Sequence, residues 1–344
     1  MEQCVPRSGR LFRRTTMASE VIVAGGVPVT GAAPSAAVCD TEGTLPKAAV
    51  RIGLLHLDSL CCLPAMNELF DALQDRIVLV ISSDRLQDAG GLSREFMRRA
   101  RTSGLRMTVA LGFDIVAIRI AAALTPVMRF FSVVRTPRRS AACRHWRTLR
   151  ELAVKVGAEY WSFDDINKTD AIECIRTVQP DLLVSFHFDQ ILRKPLLSAV
   201  ACPVVNVHPA LLPARRGPCP SFWTLAGADG RCGVSIHRIL DESIDSGPVL
   251  ARRARTRPDV SMGELDEMLF LDGARLLADL LREQPRVAID PAGPAPSPSY
   301  ETFPPRSEVR AARRRGVRLW RLTHAARLIA GLYGWHLPSS EGRR

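Results

Sequence analysis

Three side chains in the second half of the chain, Asn206, His208 and Asp245, have the types that acyl transfer to an amine requires. Asn206 and His208 stand two apart at the end of the apolar run that starts at Val204, so a strand would point both the same way. Pro209, Pro213 and Gly217 follow and force a rigid loop rather than a helix. Asp245 lies in an acidic loop between two further strand-like runs, just before Ser246 and Gly247. An amine that attacks an acyl carbon leaves negative charge on the acyl oxygen and a surplus proton on nitrogen. The Asn206 amide can donate to that oxygen, and a well-placed donor of this kind contributes about 3–4 kcal/mol. His208 can donate as well, or take the proton, and such acid–base help adds ~10²–10⁴-fold. Asp245 can hold the charge state of His208 and relay a proton through water. Taken singly, each residue also has a structural explanation: His208 as a histidine near a strand end, and Asp245 as a turn residue before Ser-Gly.

The surrounding pattern supplies strand ends to carry such a set. Short apolar runs at residues 51–57, 76–82, 181–186, 204–207 and 233–239 read as buried strands. Between them lie helical stretches. One runs from Pro64, in its first turn, to about Leu73; others span Ser93–Arg101 and Thr169–Val178, the last halted by Pro180. Ser261-Met-Gly-Glu264 is a capping box that opens a helix whose Leu265, Leu269, Leu276 and Leu280 recur at helical spacing for core packing. Strands alternating with helices predict an α/β protein with a mostly parallel, Rossmann-like sheet, whose carboxyl strand ends bind ligands. His237, inside its own strand, reads as a satisfied structural histidine.

Residues 206–217 and 233–250 together resemble the folate-dependent formyltransferase family. The matching motifs are Asn206-Val-His208-Pro-Ala-Leu-Leu-Pro213 followed by Arg216-Gly217, and Gly233-Val-Ser-Ile-His237 followed by Asp245-Ser-Gly247-Pro-Val-Leu250. The stretch Pro180–Leu192 resembles the family's strand and loop before the catalytic strand. The clear likeness covers residues 155–283, with a weaker fit from 51. It implies the formyltransferase fold and 10-formyltetrahydrofolate as donor, with no metal. It also implies Asn206, His208 and Asp245 as the catalytic trio, and a pterin pocket walled by Gln190, Ile191, Leu192, Asp241 and Ile244. Two positions depart from the pattern. His187 stands where the family has an aromatic or small residue, and Arg215 where it often has tyrosine. The resemblance further implies an N-formyltransferase acting on a small-molecule amine, such as an amino-sugar nucleotide or a specialised metabolite. A formyl-folate hydrolase and a methionyl-tRNA formyltransferase-like enzyme share the donor side and stay open.

Composition bounds the rest. The chain has 344 residues and a formal net charge of +12. Arginine supplies nearly all the positive charge, since only Lys47, Lys155, Lys168 and Lys194 occur. Residues 135–150 hold six arginines and no acid; residues 306–321 hold seven and one acid, Glu308. Such segments can meet phosphate or an anionic membrane surface weakly; nucleic acid is not the expected partner. The nine cysteines include no Cys-x-x-Cys pair, so reduced thiols in a cytoplasm are expected rather than a zinc site or disulfide framework. Residues 1–14 precede no apolar run of signal-peptide kind. The apolar window 105–134 is interrupted by Arg106, Asp114, Arg119, Pro126 and Arg129, which favours a core element over a spanning helix. The expected organisation is an extension without order (1–48), a catalytic domain (49–284), and a proline-rich linker with a short basic helical tail (285–344). No Walker A sequence and no G-x-G-x-x-G after the first strand occurs, so neither ATP nor a nicotinamide cofactor is expected.

Overall fold

The apolar runs become strands of a seven-stranded sheet. The computed structural model describes residues 50–85, 89–135, 145–282 and 298–335. The chain runs β1 (Ile52–His56), α1 (Leu63–Leu73), β2 (Ile77–Ser83), α2 (Ala89–Thr102), α3 (Leu105–Arg135) and α4 (Leu149–Val156). It continues with β3 (Glu159–Phe163), α5 (Thr169–Val178), β4 (Leu182–Phe186), α6 (Lys194–Ala199), β5 (Val204–His208) and α7 (Pro220–Ala226). It ends with β6 (Arg231–Arg238), β7 (Val249–Thr256), α8 (Met262–Leu281), α9 (Arg306–Arg314) and α10 (Leu322–Tyr333). The strand order is β3-β2-β1-β4-β5-β6-β7. The first five strands in that order are parallel, while β6 and β7 are antiparallel to their neighbours. This is the mostly parallel, Rossmann-like α/β sheet that the alternation predicts.

Strands β1 and β4 are buried at every residue, as central parallel strands must be when helices cover both faces. One face packs Leu54, Val184, Val205 and Val207 against α1, α4 and α8. The other packs Leu55, Leu183 and Val204 against α5 and α6. Val205 and Val207 flank Asn206 in sequence, and burying each valine contributes about 1.5–3 kcal/mol. They thus clamp β5 and fix the strand that carries the chemistry. Helix α8 comes close at this point because Gly273 has no side chain: a Cβ there would lie 2.7 Å from Val207 Cγ1. Its start is the expected capping box, with Ser261 accepting from the Glu264 N–H. Helix α4 starts on a second capping box, Thr148 with Glu151.

The basic tail is not a free appendage among the described residues. Helix α10 packs Ala325, Leu328 and Leu332 on Ile118 and Ala121 of α3. Helix α9 packs Val309 and Ala312 beside Met107 and Phe222. Trp320 closes over Gly263 at the start of α8, where a Cβ would sit 3.0 Å from the indole. Its Nε1 donates to the Ala110 carbonyl of α3. The apolar window forms one continuous helix despite Pro126. By length and composition, Leu105–Arg129 could cross a membrane, and 33% of its most apolar window is buried inside the protein. The extension at 1–48, residues 136–144 of the arginine-rich connector and residues 283–297 of the proline-rich stretch lie outside the described residues.

Candidate active site

Strand β5 delivers Asn206 and His208 to the carboxyl edge of the sheet, beside the antiparallel strand β6. Asp245 arrives from the loop between β6 and β7 with a left-handed backbone, φ 50°, a conformation aspartate tolerates better than most residues. Its carboxylate joins four groups. Oδ1 accepts from Asn206 Nδ2 at 3.1 Å and lies 3.4 Å from His237 Nε2. Oδ2 accepts from the Gly217 N–H at 2.9 Å and lies 3.5 Å from His208 Nδ1. Burial alone would push this carboxyl up, but His208, His237 and the Gly217 N–H outweigh it and hold it well below the usual carboxylate range. Asp245 is therefore a fixed negative charge and a poor base.

The histidines divide the roles. His208 Nε2 donates to the Arg215 carbonyl at 3.0 Å, because a carbonyl only accepts. That fixes the tautomer and leaves Nδ1 toward Asp245 as the nitrogen that can take a proton. His237 Nδ1 likewise donates to the Arg238 carbonyl at 3.0 Å. Its Nε2 is then free to accept from Asn206 Nδ2 at 3.1 Å. His237 is a satisfied buried histidine, as the sequence reading holds, and also a fourth member of the cluster. The register explains it: His237 is the cross-strand partner of Asn206. Both amide hydrogens of Asn206 are engaged at rest, one by Asp245 and one by His237, so a reacting oxygen takes one of them in exchange.

The loop after His208 is held from outside. Arg215, at φ 58°, and Gly217, at φ 98°, turn the chain under the cluster. Residues 299–301 pair with it: the Arg216 N–H donates to the Ser299 carbonyl at 3.1 Å, and the Glu301 N–H to the Arg216 carbonyl at 2.7 Å. The Arg215 guanidinium pairs with Glu301 and Asp229. Arginine in place of tyrosine at 215 thus ties the loop to the segment before α9, a contact that only the fold brings together. At Gly217 a Cβ would meet the Glu301 carbonyl oxygen at 2.3 Å, so only glycine fits.

The residues expected around the pterin separate into two groups. Gln190 is half-buried, and its side chain is spent on the fold. It donates to Ser83 Oγ at 2.9 Å and accepts from the Ile166 N–H at 2.7 Å, bracing the loop against the ends of β2 and β3. Leu192 is buried in the core beneath α5 and α6. Ile191, Asp241 and Ile244 lie on the surface side: Ile191 is 47% exposed, Asp241 is exposed and Ile244 half-buried. Asp241 accepts from the Ser243 N–H, and the Ile244 carbonyl accepts from Arg216 Nε. The two loops meet where the Lys194 N–H donates to Glu242 at 2.9 Å.

His187, the other departure, follows β4 with φ 52° and packs tilted at 55° against the Phe270 ring, 4.7 Å centroid to centroid. Burial, and then the neighbouring His56, push it down to about 3. His56 ends β1; burial pushes it down to about 4, against the Phe186 carbonyl that its Nδ1 engages at 2.6 Å. Both rings are neutral at physiological pH.

Residues 138–267 match the family model described as formyl transferase. A methionyl-tRNA formyltransferase of Roseiflexus sp. (strain RS-1) is 33% identical over 144 residues, 42% of this chain and 44% of the relative. One from Trichlorobacter lovleyi is 34% identical over 134 residues, 39% of this chain and 42% of the relative. The chain thus aligns with less than half the length of these curated relatives. Among solved structures, glycinamide ribonucleotide transformylase 1 from Symbiobacterium toebii superposes with a TM-score of 0.43 at 19% identity, covering 68% of this chain and 86% of that one.

Proposed function

We propose that this chain, whose residues 138–267 match the formyl transferase family model, moves a formyl group from 10-formyltetrahydrofolate to the amine of a small-molecule acceptor. One observation carries the reading: a single buried carboxylate, Asp245, contacts Asn206, His208 and His237 at the carboxyl end of β5. The bound donor supplies an activated formyl carbon. Asn206 exchanges one of its resting partners for the formyl oxygen and stabilises the charge that grows there. His208 takes the amine proton on Nδ1 and returns it to the departing N10 of tetrahydrofolate as the bond from N10 to the formyl carbon breaks; the imidazolium formed in between faces the charged Asp245 oxygen 3.5 Å away. Asp245, held charged, stays an anion through this transfer instead of competing for the proton. His237 keeps Asn206 and Asp245 in register. The donor lies along the loops that carry Gln190, Ile191, Leu192, Asp241 and Ile244. The Lys194–Glu242 bond between those loops supports this placement.

A second reading takes methionyl-tRNA as the acceptor. What favours it is that the two relatives compared above bear that name. The buried, unpaired thiols of Cys61, Cys62, Cys174 and Cys232 support a reducing, cytoplasmic setting for either reaction. The test is consumption of 10-formyltetrahydrofolate by the purified protein with a panel of small amines, with methionyl-tRNA, and with neither. Consumption that depends on a small amine, and that yields the formylated amine, is the expected result. Consumption without any amine would mean hydrolysis, and dependence on methionyl-tRNA alone would establish the second reading.

A further inference from the structure

A cavity of about 200 Å³ opens at the carboxyl end of β1, away from the loops assigned to the donor. Leu63, Met66 and Leu149 supply apolar wall, and α3 supplies Ile118, Arg119 and Ala122. The volume suits part of a ligand rather than a whole one, since complete small-molecule sites run to ~300–1,000 Å³. Helix α3 lies outside residues 138–267, so this wall is built from sequence that the family match does not cover.

Its polar groups are the unusual feature. Asp58 and Arg119 both line the cavity, yet neither makes a hydrogen bond or ion pair of 4 Å or less with a described residue. Among the described residues neither has a hydrogen-bonding partner, and only the longer-range pull of the Arg119 guanidinium acts between them. Leaving such charges half-buried and unpaired is costly, and a ligand that bridges them removes the cost. His56 adds a third group. Its Nδ1–H is committed to the Phe186 carbonyl, so its Nε2 is an acceptor. The cavity thus offers two acceptors, Asp58 and His56, and one cationic fork, Arg119. That set fits an ammonium group and a carboxylate side by side, with the apolar wall taking the carbon chain between this head and the rest of the molecule.

His56, Phe186 and Val207 stand in one row across β1, β4 and β5. At the usual strand spacing, about 10 Å of sheet edge separates the cavity from the strand of His208. We propose that this cavity is the acceptor's anchoring subsite, and that the acceptor is an amine whose far end carries an amino-acid head group. Asp58 and His56 receive the ammonium, and Arg119 receives the carboxylate. The side-chain amine extends along the sheet edge toward Asn206 and His208. This assignment rests on the formyl-transfer reading and narrows its substrate class to amino acids that bear a second amine. Burial pushes the Asp58 carboxyl up to about 6 against the pull of Arg119, so an ammonium ligand is expected to bind more tightly as pH rises through that value.

The experiment is calorimetric titration of the full chain with L-ornithine and L-lysine, with their decarboxylated counterparts putrescine and cadaverine, and with 5-aminopentanoate and 6-aminohexanoate. The diamino acids are expected to bind, and loss of either head charge to weaken binding by about 10-fold to 100-fold, as for a lost charged hydrogen bond. Arg119→Gln removes the advantage of ornithine over putrescine, and Asp58→Asn that of ornithine over 5-aminopentanoate. Equal binding of all six compounds, or binding of none, overturns the proposal without relying on any variant. Binding of 10-formyltetrahydrofolate is titrated in parallel. Donor binding without diamino-acid binding sinks the subsite alone, whereas failure to bind the donor sinks the formyl-transfer reading itself.

Discussion

At the residue scale, the site is a question of where one carboxylate points. Asp245 accepts from the Asn206 amide and the Gly217 N–H and lies within 3.5 Å of both imidazoles, so removing it should loosen the amide and the loop and strip His208 of its counter-charge. Asp245→Asn keeps the shape but loses the charge opposite His208, and kcat is expected to fall by ~10²–10⁴-fold with donor binding retained. Asn206→Ala removes the donor to the formyl oxygen and is expected to cost ~10²–10³-fold in kcat, read in the same assay. Equal loss of folate binding in either variant would mean that the residue holds the donor rather than the reacting atoms. Spacing and the prolines after it put Asn206 and His208 at a strand end, whereas Asp245, in a loop 37 positions after His208, was joined to them only by the motifs of the family that the chain resembles. The part of His237 was not legible, since its place beside Asn206 depends on the antiparallel register of β5 and β6 across 31 positions. Gln190 was legible as a loop residue, but its bonds to Ser83 and Ile166 come from β2 and the β3 loop, far away in sequence.

At the element scale, the loop after β5 owes its shape to a segment more than eighty residues later. Residues 215–217 are clamped by Ser299 and Glu301, and Gly217 has no room for a methyl group. Gly217→Ala is expected to destabilise the protein by more than about 1 kcal/mol, because it combines a positive φ with a backbone clash. It should also lower turnover, since the Gly217 N–H is a partner of Asp245. Thermal melting and kcat measured on one preparation check both. Gly273→Ala is the companion case: it pushes α8 from Val207 and should cost stability with a smaller effect on donor binding. The strands and the capped start of α8 could be read from apolar runs and from Ser261-x-x-Glu264. Helices α6 and α7, at six and seven residues, are too short to show a period, and β3 is a half-exposed edge strand of five residues with no aliphatic run. The capping box of α4, Thr148-x-x-Glu151, was in the sequence but masked by the arginines around it.

At the scale of the whole molecule, the basic C-terminal segment completes the catalytic body instead of trailing from it. It packs on one face of α3 and caps α8 with Trp320, and residues 299–301 just before it supply the clamp on the loop after β5. Its arginines made it read as a separate tail; its valines, leucines and Trp320 decide its position. Charge burial also sets a pH dependence for the fold. Asp266 on α8 is pushed up to about 7 by burial and by the nearby Asp114. A carboxyl raised in the folded state binds its proton more tightly there. Its contribution is therefore full below the unfolded value near 4 and lost as pH rises toward about 7. His56 and His187, pushed down to about 4 and about 3, work the other way: their contribution is present above about 6.5 and lost as pH falls through those values. Asp266→Asn is expected to flatten the decline in melting temperature between pH 5 and pH 8, followed by calorimetry; an unchanged slope would remove Asp266 from this account. The central claim, that Asn206, His208 and Asp245 pass a formyl group to an amine, is tested most directly by mass spectrometry. Wild type and His208→Ala are each incubated with 10-formyltetrahydrofolate and an amine panel. A formylated amine from the wild type and none from a folded His208→Ala protein is the expected result; equal product from both, or from neither, would contradict the assignment of the trio.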